Sequence, residues 1–160
     1  MKLKPDIVAD ELIEISLEQL KQRNIRCLLV DIDNTLAAID QSNIKQKNID
    51  WLANASKHMR IILISNNHGQ RIKAIEKMLG YPTYSFALKP FSRVYFKIKK
   101  QYQYKAHEVA VIGDQWLTDI LGGKLHRFMT IYVEPISKKD TIFTTFTRTF
   151  ERIITRQWKK

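Results

Sequence analysis

Short apolar runs recur along the chain, and stretches with helical spacing of hydrophobic residues separate them. The runs are rich in Ile, Val and Leu and do not alternate with polar positions, which is typical of strands buried on both faces of a parallel sheet. Alternation of strands and helices with short links predicts an α/β fold, a three-layer sandwich around a central parallel sheet. The predicted strands are Arg26–Asp33, Arg60–Ser65, Tyr84–Ala87, Val109–Gly113 and Phe128–Val133.

Helical patterns fill the gaps between these runs. The pattern over Gln70–Leu79 is followed by Gly80, a residue that commonly ends helices. The other predicted helices are Asp10–Lys21, Asn43–Met59, Phe91–Tyr102 and Trp116–Leu125. Since no repeat or low-complexity linker interrupts the pattern, we expect one domain over residues 1–160. Within it we expect a helical lead-in over about 6–23 and a basic amphipathic C-terminal helix over about 143–158.

Composition narrows the class of protein. With 44% hydrophobic and 27% charged residues the chain resembles an ordinary globular protein rather than a disordered one. Cys27 is the only cysteine, which excludes an intramolecular disulfide and a cysteine-based zinc cluster. No apolar run approaches the ~20 residues that span a bilayer, and the first residues lack the apolar core of a signal peptide. We therefore expect a cytoplasmic protein.

Positive charge is concentrated in the second half of the chain. The formal net charge is +11, and residues 81–160 hold 15 basic but only 6 acidic side chains. Such a balance suits nucleic acid, an anionic membrane surface or an anionic substrate. The basic, aromatic pattern over 143–158 fits either peripheral contact with an anionic membrane at its inner face or, as we favour, packing on the domain. Nucleic acid binding through the lysines and tyrosines over 95–105 is not favoured, because aromatic residues at helical spacing usually lie in the core.

Polar side chains follow four of the five predicted strands. Taken singly, each is an ordinary turn former, helix cap or solvated lysine. Because the carboxyl ends of parallel strands meet at one edge of a sheet, their conjunction predicts a phosphate and metal site there. These residues are Asp31, Asp33 and Thr35 after the first run, Ser65 and Asn66 after the second, Lys89 after the third, and Asp114 and Asp119 after the fourth.

The spacing of these residues resembles a known pattern. Asp31-x-Asp33-x-Thr35, Ser65-Asn66-Asn67, Lys89-Pro90 and Gly113-Asp114-x-x-x-x-Asp119 are similar to the four motifs of the haloacid dehalogenase (HAD) superfamily. More narrowly they resemble the YqeG-like group of subfamily IIIA phosphatases, which is similar to mitochondrial phosphatidylglycerophosphate phosphatases. The resemblance implies a HAD-like Rossmannoid fold and a Mg²⁺-dependent phosphomonoester hydrolase that works through an aspartyl-phosphate intermediate.

The resemblance also implies a role for each residue. Asp31 would be the nucleophile and Asp33 the general acid and then the general base. Ser65 would donate to a phosphoryl oxygen, and Lys89 would balance its charge. The implied Mg²⁺ ligands are Asp31, Asp33 through its backbone carbonyl, Asp114 and Asp119, and the implied substrate- or phosphate-binding supports are Thr35 and Asn66.

The spacing between motifs leaves no room for a cap domain. Asp33 and Ser65 are 32 residues apart and Ser65 and Lys89 are 24 apart, and one helix and one strand use up each interval. An uncapped site admits a large or exposed phosphate substrate: a lipid head group such as that of phosphatidylglycerophosphate, a nucleic acid end or a phosphoprotein. The alternative is a basic RNA- or protein-binding module on a HAD fold with little or no hydrolytic activity.

Overall fold

Six strands form one sheet in the computed structural model, which describes residues 4–91 and 93–137. They are β1 (Ile7–Ala9), β2 (Cys27–Asp31), β3 (Arg60–Ile64), β4 (Thr83–Tyr84), β5 (Val109–Gly113) and β6 (Met129–Val133). All neighbouring strands run parallel, in the order β1-β6-β5-β2-β3-β4. The parallel sheet predicted from the unbroken apolar runs is confirmed.

Helices connect the strands. They are α1 (Leu17–Gln22), α2 (Gln46–Ser56), α3 (Gln70–Leu79), α4 (Arg93–Gln101) and α5 (Leu121–Leu125), with 3-10 turns at Leu12–Glu14 and Ala106–Glu108 and a π-helical turn at Trp116–Ile120. Helix α3 has the predicted bounds. It ends where Gly80 adopts a left-handed φ of 72° and donates its backbone N–H to the Glu76 carbonyl at 2.8 Å.

Two apolar layers cover the two faces of the sheet. On one face Leu28 and Val30 of β2 belong to a buried cluster with Leu52 of α2, and α3 and α1 contribute to the same cluster. On the other face Cys27 and Leu29 of the same strand join a second cluster that includes residues of α4. Side chains of a strand point alternately to the two faces, so a strand buried on both needs the unbroken apolar run seen in the sequence. The three-layer α/β arrangement is confirmed.

The predicted helical lead-in over about 6–23, and with it the helix over Asp10–Lys21, is helical only in part, at Leu12–Glu14 and Leu17–Gln22. β1 instead takes the open edge of β6, with Ile7 opposite Ile131, and a 3-10 turn follows it. The helix begins only after Ser16, whose hydroxyl accepts a hydrogen bond from the Gln19 N–H at 3.2 Å. In β1 the backbone N–H and C=O groups of Ile7–Ala9 form hydrogen bonds with β6, whereas in a helix they would form hydrogen bonds within the segment.

Asp6 anchors the start of β1 to the neighbouring strand. Its carboxylate accepts hydrogen bonds from the Thr130 N–H at 2.8 Å, from the Thr130 hydroxyl at 3.0 Å and from the Lys124 ammonium at 2.7 Å. Burial raises the pKa of Asp6, but the hydrogen bonds from Lys124 and Thr130 outweigh that effect and hold it below its ordinary value.

Two further segments differ from their predictions. The strand predicted over Tyr84–Ala87 is only Thr83–Tyr84, because the backbone turns at Phe86, where φ is 52°. The helix predicted over Trp116–Leu125 is a π-helical turn followed by α5. The C-terminal helix predicted over 143–158 lies outside the described residues. Among the residues that are described, no helix is long and apolar enough to cross a membrane.

The strand register places the predicted site residues at one edge. Asp31 is opposite Ile64 at the end of β3, and Val30 is opposite Ile112 near the end of β5. Three central strands therefore finish level with one another. Between Asp33 and Ser65 the regular elements are α2 and β3, and between Ser65 and Lys89 they are α3 and β4, so neither described segment inserts a cap domain.

Candidate active site

Three buried carboxylates meet at the carboxyl edge of the sheet. Asp31 is the last residue of β2, Asp114 follows β5, and Asp119 lies in the π-helical turn. One oxygen from each lies within 4.8 Å of the others, and no more than 5% of any of these residues is exposed. We call this set the acid cluster. It joins residues that are 88 positions apart in the sequence.

The π-helical turn brings Asp119 back against the end of β5. The Asp119 carboxylate accepts a hydrogen bond from the Gln115 N–H at 3.2 Å, which holds it over the start of the turn. A Cβ atom on Gly113 would overlap the Asp119 side chain. Glycine at 113 is therefore what allows the carboxylate to lie against the strand.

Lys89 supplies the positive charge beside the acid cluster. Its buried ammonium forms an ion pair with Asp31 and donates to Asp119 at 2.5 Å. Burial lowers the pKa of Lys89, but the carboxylates of Asp119 and Asp31 raise it by more, so the net shift is upward and the side chain stays protonated. The Asn66 side chain fixes the backbone of Lys89, accepting its N–H at 2.9 Å and donating to its carbonyl at 3.4 Å.

One ammonium does not neutralise three carboxylates. Burial raises the pKa of Asp31 well above its usual range; Lys89 opposes this shift, and the charges of Asp119, Asp114 and Asp33 add to it. Asp31 Oδ2 is buried with no hydrogen-bond partner among the described residues. An oxygen-only cluster with surplus negative charge and an unpartnered oxygen fits a divalent metal ion, since hard cations take carboxylate oxygens.

Asp33 lies beside the acid cluster in a separate set of contacts. Its Oδ2 accepts the Ser65 hydroxyl at 2.5 Å, and its Oδ1 forms an ion pair with Arg71. Arg71 also donates to the Gln41 carbonyl at 3.0 Å, so it ties the loop after β2 to α3. The Asp33 carboxylate is thus oriented by a hydroxyl and a guanidinium, and it is not one of the three carboxylates of the cluster.

The remaining predicted residues support their neighbours. The Thr35 hydroxyl donates to Asp114 Oδ1 at 3.5 Å, and Asn66 holds the Lys89 backbone as described. The fold thus brings all eight predicted side chains to one edge of the sheet. Their implied roles are a separate question and remain predictions.

Sequence reasoning missed Arg71. It lies in the first turn of α3, where a basic residue is unfavourable to the helix dipole, and no acidic residue accompanies it there. The sequence feature that could have identified Arg71 is this basic residue at a helix start, four residues after Ser65-Asn66-Asn67. A basic residue at a helix start beside a row of carboxylates indicates an ion pair with one of them.

The chain is similar to known phosphatases along most of its length. Residues 2–137 match the family described as "Mitochondrial PGP phosphatase". A protein of Bacillus subtilis with the description "Probable phosphatase YqeG" is 34% identical over 157 residues, which cover 98% of this chain and 91% of that protein. The chloroplastic phosphatidylglycerophosphate phosphatase 1 of Chlamydomonas reinhardtii is 24% identical over 165 residues, 96% of this chain and 61% of that protein.

Solved structures agree with the fold. A HAD-hydrolase of Bacillus subtilis, solved with bound magnesium, aligns with a TM-score of 0.54 at 16% sequence identity. The alignment covers 65% of this chain and 50% of that one. At this level of identity the likeness supports a HAD-type fold, which agrees with the sheet described above.

Proposed function

The chain belongs to the mitochondrial PGP phosphatase family, and on that premise we propose that it hydrolyses a phosphomonoester with Mg²⁺ through an aspartyl-phosphate intermediate. We propose a phospholipid of the phosphatidylglycerophosphate type as its substrate. The observation that carries the proposal is the acid cluster with Lys89 inserted beside it. Family membership and this cluster together disfavour the alternative of a basic RNA- or protein-binding module with little activity.

Asp31 is the proposed nucleophile. One of its oxygens is held by Lys89, which fixes the carboxylate, and the other has no hydrogen-bond partner among the described residues. In the first step an Asp31 oxygen bonds to phosphorus while the bond from phosphorus to the substrate oxygen breaks. The product of this step is an aspartyl phosphate on Asp31 and a free alcohol.

Asp33 is the proposed proton carrier. In the first step it gives a proton to the departing alkoxide oxygen, and in the second it takes a proton from the water that attacks the aspartyl phosphate. The proton that leaves Asp33 is thus restored from water, and inorganic phosphate is released. Before substrate binds, Ser65 and Arg71 both contact the Asp33 carboxylate. Once the Ser65 hydroxyl donates to a phosphoryl oxygen, the Arg71 guanidinium keeps that carboxylate oriented, as such a transfer requires.

Charge neutralisation is the proposed task of the remaining residues. Lys89 would offset a phosphoryl charge that approaches Asp31, and Ser65 would donate to a phosphoryl oxygen. Asp31, Asp114 and Asp119, with the Asp33 backbone carbonyl, would hold Mg²⁺, which when bound offsets the negative charge of the phosphoryl group. Thr35 orients Asp114, and Asn66 orients the loop that carries Lys89.

A lipid substrate is supported by two observations. The segments on either side of Ser65 contain only the elements of the domain itself, so the described chain leaves the sheet edge without a cap. The similar protein from Chlamydomonas reinhardtii is a phosphatidylglycerophosphate phosphatase. A nucleic acid end or a phosphoprotein would also reach an uncapped site.

The test is hydrolysis of an aryl phosphate and of a phosphatidylglycerophosphate-type lipid, with Mg²⁺ or with a chelator. We expect turnover only with Mg²⁺ and loss of both activities in Asp31→Asn, with Asp50→Asn on the exposed face of α2 as the matched control. Phosphopeptides and 5′-phosphorylated oligonucleotides complete the panel. No metal-dependent turnover of any substrate would contradict the enzymatic proposal, and preference for a phosphopeptide or an oligonucleotide would contradict the lipid substrate.

The intermediate has its own readout. Asp33→Asn removes the proton carrier but leaves Asp31, so an aryl phosphate, whose leaving group needs no proton, should still phosphorylate the enzyme. We expect the intact mass of Asp33→Asn to show one added phosphoryl group that is absent from Asp31→Asn. Its absence from Asp33→Asn under single-turnover conditions would contradict the aspartyl-phosphate step.

A further inference from the structure

The loop that carries Lys89 exposes three large apolar side chains. Phe86, Leu88 and Phe91 are 59%, 61% and 78% exposed, whereas Ala87 and Lys89 between them are buried. We call these three residues the apolar rim. Isolated exposed apolar residues are common on proteins, but three within six positions, on the loop that supplies an active-site lysine, form a surface patch.

The apolar rim is held outward by a fixed backbone. Phe86 and Leu88 have positive φ angles of 52° and 55°, a left-handed conformation that costs side chains with a Cβ about 1–2 kcal/mol each. Hydrogen bonds from the loop to the segment after β3 maintain it: the Phe86 N–H donates to the Asn67 carbonyl at 3.0 Å, and the Ala87 N–H donates to the Ser65 carbonyl at 2.9 Å. The exposed side chains are therefore part of a built surface.

Basic residues flank the apolar rim. Helix α4 begins two residues after Phe91 and exposes Arg93 and Lys97, together with Phe96, which is 59% exposed. Large apolar side chains interleaved with cations are typical of surfaces that lie in the interface of an anionic bilayer. The excess of basic residues over positions 81–160 has the sign that an anionic surface attracts.

We propose that the apolar rim inserts into the interface of an anionic phospholipid bilayer and places the acid cluster at the level of the lipid head groups. Lys89 links the two features directly, because its backbone is part of the rim loop and its side chain contacts Asp31 and Asp119. This inference rests on the proposed function for its biological meaning. Its physical content, which is contact between rim and lipid, can be tested without any activity.

The direct test is a fluorescent probe on the rim. The native Cys27 is buried, and burial raises the pKa of its thiol to about 12, so a maleimide probe will select an introduced cysteine. We would attach an environment-sensitive NBD group in Leu88→Cys and, as the matched control, in Met78→Cys on exposed α3. With vesicles of phosphatidylcholine containing phosphatidylglycerol, we expect a blue shift at position 88 and no shift at position 78. No shift at position 88 would overturn the proposal.

Vesicle sedimentation gives the energetic side of the test. Burial of one large apolar side chain corresponds to roughly a tenfold change in partitioning, so Phe86→Ala/Leu88→Ala/Phe91→Ala should bind these vesicles about a thousandfold more weakly. The matched control, Val8→Ala/Ile13→Ala/Met78→Ala, removes three exposed apolar side chains elsewhere and should bind like the parent chain. Equal binding of the rim variant and the parent would overturn the proposal.

Two further measurements separate the possible failures. The rim variant should keep its turnover of a soluble aryl phosphate within about twofold and lose turnover of the vesicle-bound lipid, since it changes only access. If the parent binds vesicles through the rim but hydrolyses nothing, the proposed function fails and the rim proposal stands. A rim-dependent dimer that forms without lipid would instead assign the surface to a second copy of the chain and overturn the membrane proposal.

Discussion

Replacing Lys89 by methionine tests the electrostatics of the site most directly. The substitution keeps most of the apolar side-chain length but removes the cation that contacts Asp31 and Asp119. Removing one partner of a buried ion pair leaves charge in the interior without compensation and is strongly destabilising. We therefore expect Lys89→Met to be much less stable than the parent when no metal is present.

Without the Lys89 ammonium, one carboxylate of the acid cluster must take up a proton to offset the lost positive charge. The free-energy cost of that protonation sets the expected loss of stability in Lys89→Met. Protonating a carboxyl group whose ordinary pKa is 3.8 costs 1.36 kcal/mol per pH unit above that value, which is about 4 kcal/mol at pH 7 and about 2 kcal/mol at pH 5. The attraction within a buried ion pair roughly equals the free energy lost by removing its two charges from water. We therefore take the protonation cost as the loss in unfolding free energy. At pH 7 it corresponds to about 8–16 °C in Tm.

The sign of the pH dependence is fixed by the direction of the pKa shift. A carboxyl whose pKa is raised in the folded state lets the folded chain hold a proton that the unfolded chain has released. The stabilisation that this bound proton gives to the folded state is complete below the ordinary pKa and is lost as the pH rises toward the folded-state pKa. The cost of losing Lys89 should therefore grow between pH 5 and pH 7.

Urea unfolding in the presence of a chelator, at pH 5 and pH 7, measures both quantities. Lys73→Met, on the exposed face of α3, is the matched control and should unfold like the parent. Mg²⁺ should restore much of the stability of Lys89→Met, and the double variant with Asp31→Asn should lose less than the single one. A loss below about 1 kcal/mol at pH 7, or a loss that does not change with pH, would refute this reasoning.

Other expected outcomes concern Arg71, Gly113 and Asp6. Arg71→Met should lower kcat by about 10- to 100-fold on an alkyl phosphate and much less on an aryl phosphate, because only the alkyl leaving group needs the proton that we propose Asp33 supplies. Equal losses on both substrates would contradict a positioning role, and Arg71→Lys should recover part of the rate. Gly113→Ala should lower the free energy of unfolding by about 1–3 kcal/mol and abolish the proposed Mg²⁺-dependent activity, since the new methyl group displaces Asp119. Unchanged activity would contradict the close approach of Asp119 to Gly113. Asp6→Asn should lower the free energy of unfolding by about 1 kcal/mol at pH 7. This value is smaller than for a buried ion pair, because more than a third of the Asp6 side chain is exposed to solvent. Since the pKa of Asp6 is lowered, that loss should shrink as the pH falls below the ordinary value of 3.8, and a loss as large at pH 2.5 as at pH 7 would contradict this linkage.

The central strands were predictable because the physics that forms them is local. The runs Cys27–Val30 and Val109–Ile112 are apolar without interruption, which is typical of strands covered on both faces of a sheet. β1 was not predictable in the same way. Ile7–Ala9 is only three residues long and lies between acidic residues, and its partner strand is more than 120 positions away. Edge strands of this length carry almost no pattern of their own.

In the site, as in the fold, the residues placed by local strand structure were predictable and those placed by tertiary packing were not. Residues at the very end of a strand or directly after it, such as Asp31 and Asp114, owe their position to the sheet and were predicted together. Arg71 reaches Asp33 from the far end of a loop and a helix start, and its partner depends on tertiary packing. The outward-facing side chains of Phe86 and Leu88 depend on left-handed backbone angles that both sequence pattern and residue type disfavour. Neither feature could be inferred from spacing alone.

The position of β1 has a consequence for how the protein is made. Among the six described strands this one is translated earliest, yet its partner residue Ile131 is translated 124 residues after Ile7. At about 5–20 residues per second, the N-terminal strand waits roughly 6–25 s before it can pair. The inner strands β2, β3 and β5 can assemble during that interval, while β1 stays open to mispairing with other nascent chains. Conditions that slow translation should therefore lower the soluble yield more than the stability of the finished protein would suggest.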